Sequence, residues 1–234
     1  PKLKKASFID CGKLESINAL SNFESLQSLW ISNAQRLVSI KLGQLDEPNP
    51  NLSLLHLGSL PSFRSFSSLS RLKSLEKISV EKCNLIQDVS WISGMAKLRE
   101  FTLGGCALRQ VTNLQNLPSL EKLEFKFCDS INQFADCQFD PITKLIVTDT
   151  AAGYDDFGLF QNVSGLLYLQ LDTNLETCKN VEQLDSLKDL QIHGLIKSIN
   201  GLERLPNLEV LDLGYCSVLN DDLDRTLAKL AQTL

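Results

Sequence analysis

Seven cysteines and two histidines are the residues of this 234-residue chain best suited to chemistry. Thiolate and imidazole groups are common nucleophiles and metal ligands in proteins. No CxxC pair occurs, however, and His56 and His193 lie far apart in the sequence. Neither histidine has a neighbouring Ser or Cys in a pattern that suggests a nucleophile pair. The sequence therefore predicts no metal site and no cofactor.

Two further kinds of site were considered from the sequence, a phosphate-binding loop and a calcium site. A phosphate-binding loop needs GxxxxGK[ST] or GxGxxG, and neither occurs, while Gly104 and Gly105 lie where a strand is expected. Asp221, Asp222 and Asp224 could bind calcium, but Asp221 with Asp224 resembles a helix capping box. Negative charge at a helix start is also favourable. We therefore expect a non-catalytic chain.

Most of the cysteines belong to a phrase that the chain repeats ten times. Two copies read LEKLEFKFC at 120–128 and LEVLDLGYC at 208–216. The first, fourth and sixth residues are apolar and the fifth is usually polar, which predicts a short strand with one buried face. The ninth residue is often Cys, as in Cys11, Cys83, Cys106, Cys128 and Cys216.

The spacing of the phrase predicts the domain organisation. Its copies begin 21 to 26 residues apart, at Leu3, Leu26, Leu52, Leu75, Leu98, Leu120, Ile142, Leu166, Leu187 and Leu208. Residues between the strands carry apolar side chains every three positions, as expected for short 3₁₀ returns. We therefore predict ten repeats over 1–219. Residues 220–234 are predicted to form a capping helix with the apolar face Leu223, Leu227, Leu230 and Leu234.

The chain resembles a leucine-rich-repeat protein with short repeats of about 22–23 residues. The family phrase LxxLxLxxN/C matches Leu98, Phe101, Leu103 and Cys106, and the resemblance covers residues 3–219. The resemblance implies an α/β solenoid: a curved right-handed superhelix with a parallel sheet on its concave face, helical or 3₁₀ returns on its convex face, and a C-terminal capping helix. The subfamily stays open. The phrase lacks its Cys or Asn at Ala34, Leu60 and Leu195.

The resemblance also implies a place for each cysteine. In this family the ninth position faces inward, so the five cysteines found there are expected to be buried free thiols. Cys137 and Cys178 fall in return segments and are predicted to be more exposed. An odd cysteine count without a paired framework favours a reducing compartment, and hence the cytoplasm. Secretion or surface exposure is the alternative, because Asn51 and Asn162 begin glycosylation sequons.

The strand register predicts which side chains face outward. The fifth residue of each phrase, with the third, seventh and eighth, is expected on the concave face. We predict a protein-binding surface there, made of Trp30, Leu54, His56, Lys77, Glu81, Thr102, Glu124, Lys126, Phe127, Lys144, Ile146, Tyr168, Gln170 and Tyr215. Two apolar groups are expected within it, Trp30 beside Leu54 and His56, and Phe127 beside Ile146 and Tyr168. Aromatic residues are enriched at binding hot spots.

Charge and hydropathy narrow the class of partner. The formal net charge of −5 disfavours specific nucleic-acid binding, which usually involves a basic stripe. No apolar run approaches the roughly 18 residues of a membrane span. The sequence therefore favours a non-catalytic protein–protein interaction scaffold. The start at Pro1 suggests a fragment of a larger chain. The alternatives are a host–pathogen recognition module, from an immune receptor or an effector, and a substrate-recruiting domain fused to an enzyme.

Overall fold

Ten short strands form one parallel sheet in the computed structural model of the chain. The strands are β1 Lys5–Ile9, β2 Ser28–Ser32, β3 Leu54–Gly58, β4 Lys77–Glu81, β5 Glu100–Gly104, β6 Lys122–Lys126, β7 Lys144–Thr148, β8 Tyr168–Asp172, β9 Asp189–His193 and β10 Val210–Asp212. The structure describes residues 2–40, 42, 49–64, 66–108, 110–128, 131, 133–135, 137, 142–148, 153–161, 163, 165–216 and 223–233.

Each strand pairs with the next one along the chain, without any shift in register. Ser7 of β1 lies opposite Trp30 of β2, and Trp30 lies opposite His56 of β3. The same position of every repeat therefore forms a column across the sheet. This arrangement confirms the predicted solenoid with its parallel sheet.

The two faces of the strands differ as the alternating pattern predicts. In β4, Ile78 and Val80 are buried, whereas Lys77, Ser79 and Glu81 point to the other face. Aromatic rings join leucine in the core, in two chains of contacts that the sequence did not predict. Phe66 lies 4.7 Å from Phe63 and 5.9 Å from Trp91 between ring centroids, and further along the solenoid Phe125, Phe134 and Phe160 make a second chain.

The return segments contain the predicted 3₁₀ turns. These turns span Asn18–Asn22, Phe66–Arg71, Ser90–Ile92, Phe157–Phe160, Val181–Gln183 and Leu202–Arg204. Two pairs of short parallel strands occur as well, and they were not predicted. Gln110–Thr112 pairs with Gln133–Ala135, and Leu175–Thr177 pairs with Ile196–Ser198. Neighbouring returns therefore stack by backbone hydrogen bonds in addition to side-chain packing.

The α-helix α1, Leu223–Thr233, covers the last 3₁₀ turn of the solenoid. Its buried stripe is centred on Thr226 and Leu230, and the Thr226 hydroxyl donates to Asn200 Oδ1 at 2.8 Å. Leu227 is exposed at the edge of that stripe, so its predicted place on the buried face was wrong. Asp221, Asp222 and Leu234 lie outside the described residues. Among the described helices, none has the length and apolar character needed to cross a bilayer.

All seven cysteine thiols are free, and five of them are buried. Cys83, Cys106 and Cys128 are buried in consecutive repeats, as predicted. Each donates to the carbonyl oxygen two residues earlier, as Cys106 Sγ does to Gly104 O at 3.3 Å. Burial raises the pKa of Cys83 to about 11 and the pKa of Cys106 to about 12. These thiols are therefore protonated near neutral pH.

The predicted exposure of Cys137 and Cys178 was wrong, because both thiols are buried. Stacked return segments enclose them, and Cys137 Sγ donates to Val111 O of the preceding repeat at 3.4 Å. Burial likewise raises the pKa of Cys178 to about 12. The predicted burial of Cys11 and Cys216 was also wrong, because these two cysteines, in the first and last repeats, are partly exposed.

We expect this difference to appear in thiol reactivity. About two of the seven cysteines, Cys11 and Cys216, should react with a disulfide reagent in the native protein, since only an accessible thiolate is reactive. All seven should react after denaturation. The measurement is the number of thiols titrated with and without denaturant, followed by mass spectrometry of the labelled peptides. Labelling of Cys178 at the rate of Cys11 in the native protein would contradict the packing of the returns.

Candidate functional site

The concave face, as the name is used here, consists of the outward third, fifth and seventh residues of the ten repeats and, at its edge, the eighth residues. The fifth residues form its central column, which is Ser7, Trp30, His56, Ser79, Thr102, Glu124, Ile146, Gln170, Gln191 and Asp212. The eighth residue of each repeat follows the strand, where the chain turns away from the sheet.

An aromatic pair stands out among the first three strands. The Trp30 indole is 44% exposed and stacks on the His56 imidazole, with ring centroids 4.5 Å apart. Ile9, at the seventh position of the first repeat, is exposed at the same end of the face. Ile9 was not among the predicted residues, although its outward position in the register was a signal for it. Six of the predicted residues line one pocket here: Trp30, Leu54, His56, Lys77, Glu81 and Thr102.

Charged groups in the middle of the face are paired with one another. Lys122 Nζ and Lys126 Nζ each lie 2.9 Å from a carboxylate oxygen of Glu124, and Thr102 Oγ1 donates to Glu124 at 3.1 Å. Glu124 is only 6% exposed, which corrects its predicted exposure. Burial disfavours its charged form, but the hydrogen bonds from Lys126 and Lys122 prevail and lower the pKa of Glu124.

The predicted apolar group of Phe127, Ile146 and Tyr168 does not form. Ile146 is 6% exposed, because Glu124 and Gln170 stand on either side of it in the same column. Tyr168 lies at the start of β8 and Phe127 beyond the end of β6, so their backbones are roughly 19 Å apart at ordinary strand spacings. The Lys144 ammonium sits 3.7 Å from the centroid of the Tyr168 ring, and the Tyr168 hydroxyl donates to Gln170 Oε1 at 3.0 Å.

The eighth position has an unusual backbone that recurs through the solenoid. Asp10, Asn33, Phe127 and Tyr215 have φ values of 56°, 55°, 51° and 61°. Left-handed φ is tolerated by Asn and Asp, but it is uncommon for bulky residues. Phe127 is 59% exposed and Tyr215 is 92% exposed, so both rings project into water from a strained turn. Strain of this kind clusters at functional sites.

The last three strands are acidic. The His193 ring lies between two carboxylates, with Nδ1 2.8 Å from Asp172 and Nε2 3.4 Å from Asp212. The His193 ring also meets Tyr215 edge-on, at 6.1 Å between centroids. This contact between His193, Asp172, Asp212 and Tyr215 was not predicted from the sequence. The sequence signal for it was an aspartate at the seventh position of one neighbouring strand, Asp172, and another at the fifth position of the other, Asp212, on either side of the outward His193.

Comparisons with known proteins agree with this fold. Two Arabidopsis thaliana proteins whose names describe them as disease resistance proteins are 25% and 26% identical to this chain. The alignments cover 94% and 87% of this chain and 21% of each relative. This chain therefore spans about a fifth of the length of the curated relatives that it matches. No protein-family model matches the chain.

A solved structure has the same architecture as this chain. The crystal structure of a TLR13–ssRNA13 complex matches 92% of this chain and 36% of that chain, with a TM-score of 0.66 and 19% identity. At this identity the likeness shows the fold, which is that of a leucine-rich-repeat protein.

The Glu124 cluster should contribute a pH-dependent part of the stability. Its folded pKa is lowered, so its contribution is present above the ordinary glutamate pKa and is lost as pH falls through the lowered value. Glu124→Gln should cost about 1–2 kcal/mol at pH 7, and this cost should shrink as the solution is acidified. Urea unfolding of both proteins over a pH series measures it. A difference that stays constant into the acid range would contradict the ion-pair account.

Replacing Phe127 should relieve the strain at the eighth position. We expect Phe127→Asn to raise the free energy of unfolding by about 1 kcal/mol, because Asn adopts the left-handed region more readily. Phe127→Ala is the matched control, since it removes the ring but keeps a side chain that disfavours this φ. Urea unfolding of the three proteins tests the prediction. Equal stabilisation by Ala and Asn would assign the effect to the ring instead of the backbone.

Proposed function

We propose that this leucine-rich-repeat solenoid binds a protein on its concave face and acts as a non-catalytic recognition domain of a larger protein. The observation that carries the proposal is aromatic exposure. Trp30, Phe127 and Tyr215 present large apolar surfaces to water although the fold provides a continuous core. Aromatic side chains of this kind are the usual anchors of protein interfaces.

The distribution of charge favours a protein partner over a nucleic acid. The positive charge of the central lysines is partly balanced, because Lys77 pairs with Glu100 and Lys122 and Lys126 share the carboxylate of Glu124. The last three strands carry carboxylates at the outward positions. Phosphate recognition needs uncompensated basic groups, and this face offers few. The RNA in the TLR13 complex is bound by that protein, and we do not propose RNA as the partner of this chain.

The two curated relatives favour one version of recognition. Their names describe them as disease resistance proteins. We therefore propose a recognition module of a host–pathogen system as the more specific function, with a general interaction scaffold as the broader one. We also propose the cytoplasm as its location, supported by seven free cysteines. Of the two asparagines that begin glycosylation sequons, Asn51 donates a hydrogen bond from Nδ2 to Glu24 O at 2.7 Å. The other, Asn162, lies outside the described part of the chain.

Binding should depend on the exposed rings of the concave side. We expect the triple variant Trp30→Ala, Phe127→Ala, Tyr215→Ala to retain about tenfold less partner than the wild type in affinity capture from cells, because aromatic anchors dominate interface energies. The matched control is Val38→Ala, Leu85→Ala, Leu195→Ala, which removes exposed apolar side chains that lie neither at the outward strand positions nor at the eighth positions.

The control should capture the same partner as the wild type. Quantitative mass spectrometry of the captured proteins measures the ratio, and circular dichroism checks that both variants fold. If the first triple variant captured the partner as well as the control did, the concave face would not be the binding surface.

A further inference from the structure

The pocket on the concave face has a composition that points to one kind of ligand. It has a volume of about 290 Å³ and spans strands β2 to β5. Its floor is formed by Ser79 and Thr102, two small polar residues of the central column. Because Ser79 and Thr102 have short side chains, the larger side chains on either side of them form the walls of the pocket.

The first wall is a flat aromatic surface. Trp30 and His56 stack with an angle of 28° between their planes. Gly58 makes room for this arrangement, since a Cβ there would lie 3.1 Å from His56 Nε2. Burial lowers the pKa of His56, and the charge of Glu81 only partly opposes this effect. The imidazole is therefore neutral at pH 7 and presents a π surface to the pocket.

The second wall carries charge that is already balanced. Lys77 Nζ lies 2.6 Å from Glu100 Oε1, so this lysine and this carboxylate neutralise each other. Neither group needs a ligand to complete its pairing. The charge that decides the ligand must therefore come from elsewhere in the pocket.

Glu81 supplies that charge. The Ser79 hydroxyl donates to Glu81 Oε1 at 3.4 Å, and among the described residues Glu81 makes no ion pair. In the sheet register Glu81 lies between Gly58 of β3 and Gly104 of β5. Neither neighbour has a side chain to cover the carboxylate. The pocket thus combines an aromatic wall with one accessible, uncompensated negative charge.

We propose that this pocket binds a single arginine side chain of the protein partner. The inference rests on the proposed function of the concave face and names the chemistry of its contact. The methylene groups of the arginine lie along the aromatic wall, and the guanidinium pairs with Glu81. Among basic side chains, the planar guanidinium group combines flat stacking on aromatic rings with forked pairing to a carboxylate, whereas the lysine ammonium is a point charge.

Other side chains fit the same pocket less well. An acidic group would approach Glu81 and Glu100 together, and like charges at close range repel. An apolar group would strip water from Glu81 without replacing its hydrogen bonds, which is costly for a charged group. A basic side chain satisfies the carboxylate and uses the aromatic wall at the same time.

Blocked arginine, N-acetyl-arginine N-methylamide, is a probe that tests the pocket directly. We expect it to shift the NMR signals of the Trp30 indole N–H and the Ser79 and Thr102 amides in a saturable way. The matching citrulline compound has the same shape without the charge and should bind about tenfold more weakly. Glu81→Gln should weaken arginine binding by a similar factor. Glu24→Gln, which neutralises an exposed carboxylate outside the concave face, should bind like the wild type.

Equal binding of arginine and citrulline, or an unchanged affinity in Glu81→Gln, would overturn the arginine pocket. This failure is separable from failure of the proposed function. Loss of partner capture in the Trp30, Phe127, Tyr215 variant with normal capture in Glu81→Gln leaves the concave face as the binding surface and rejects the arginine contact. Loss of capture in Glu81→Gln, together with the charge-dependent NMR shifts, supports both.

Discussion

Each strand of this protein stacks on the next with no shift in register, and the other features of the molecule follow from that pairing. A single repeat cannot bury its own apolar face, so its stability comes from its neighbours. The register that aligns the buried fourth and sixth side chains also aligns the outward ones. Trp30 stacks on His56 because the two residues are register partners in adjacent strands. The concave face is therefore a consequence of how the core is built.

Alternation in the sequence was enough to predict the sheet, its register and the outward column. It was also enough to predict that Trp30 would be exposed. The burial of Glu124 and Ile146 was not predictable in this way, because alternation gives the direction of a side chain but not the reach of its neighbours. Lys122 and Lys126 cover Glu124 from the third and seventh positions of the same strand. Long flexible side chains decide such cover, and their rotamers are set only in the folded protein.

The return segments were less predictable for a different reason. Their apolar spacing of three residues fits a 3₁₀ turn, but it does not reveal that adjacent returns pack closely enough to enclose Cys137 and Cys178. The short parallel strand pairs have no alternating phrase of their own. They form because the main sheet already holds successive returns side by side. Local sequence is therefore a weaker guide on this side than on the concave face.

The unshifted register has a consequence for how such a surface changes over generations. Because every strand pairs with its neighbours at equivalent positions, gain or loss of one whole repeat would preserve the strand pairing on both sides of the junction. The outward residues beyond the junction would move by one strand spacing, roughly 4.8 Å. A contact between neighbouring repeats, such as the Trp30–His56 stack, would be lost if the junction fell between its two repeats and kept if it fell elsewhere. A solenoid of this type can therefore rearrange its recognition pattern by recombination while its sheet stays continuous.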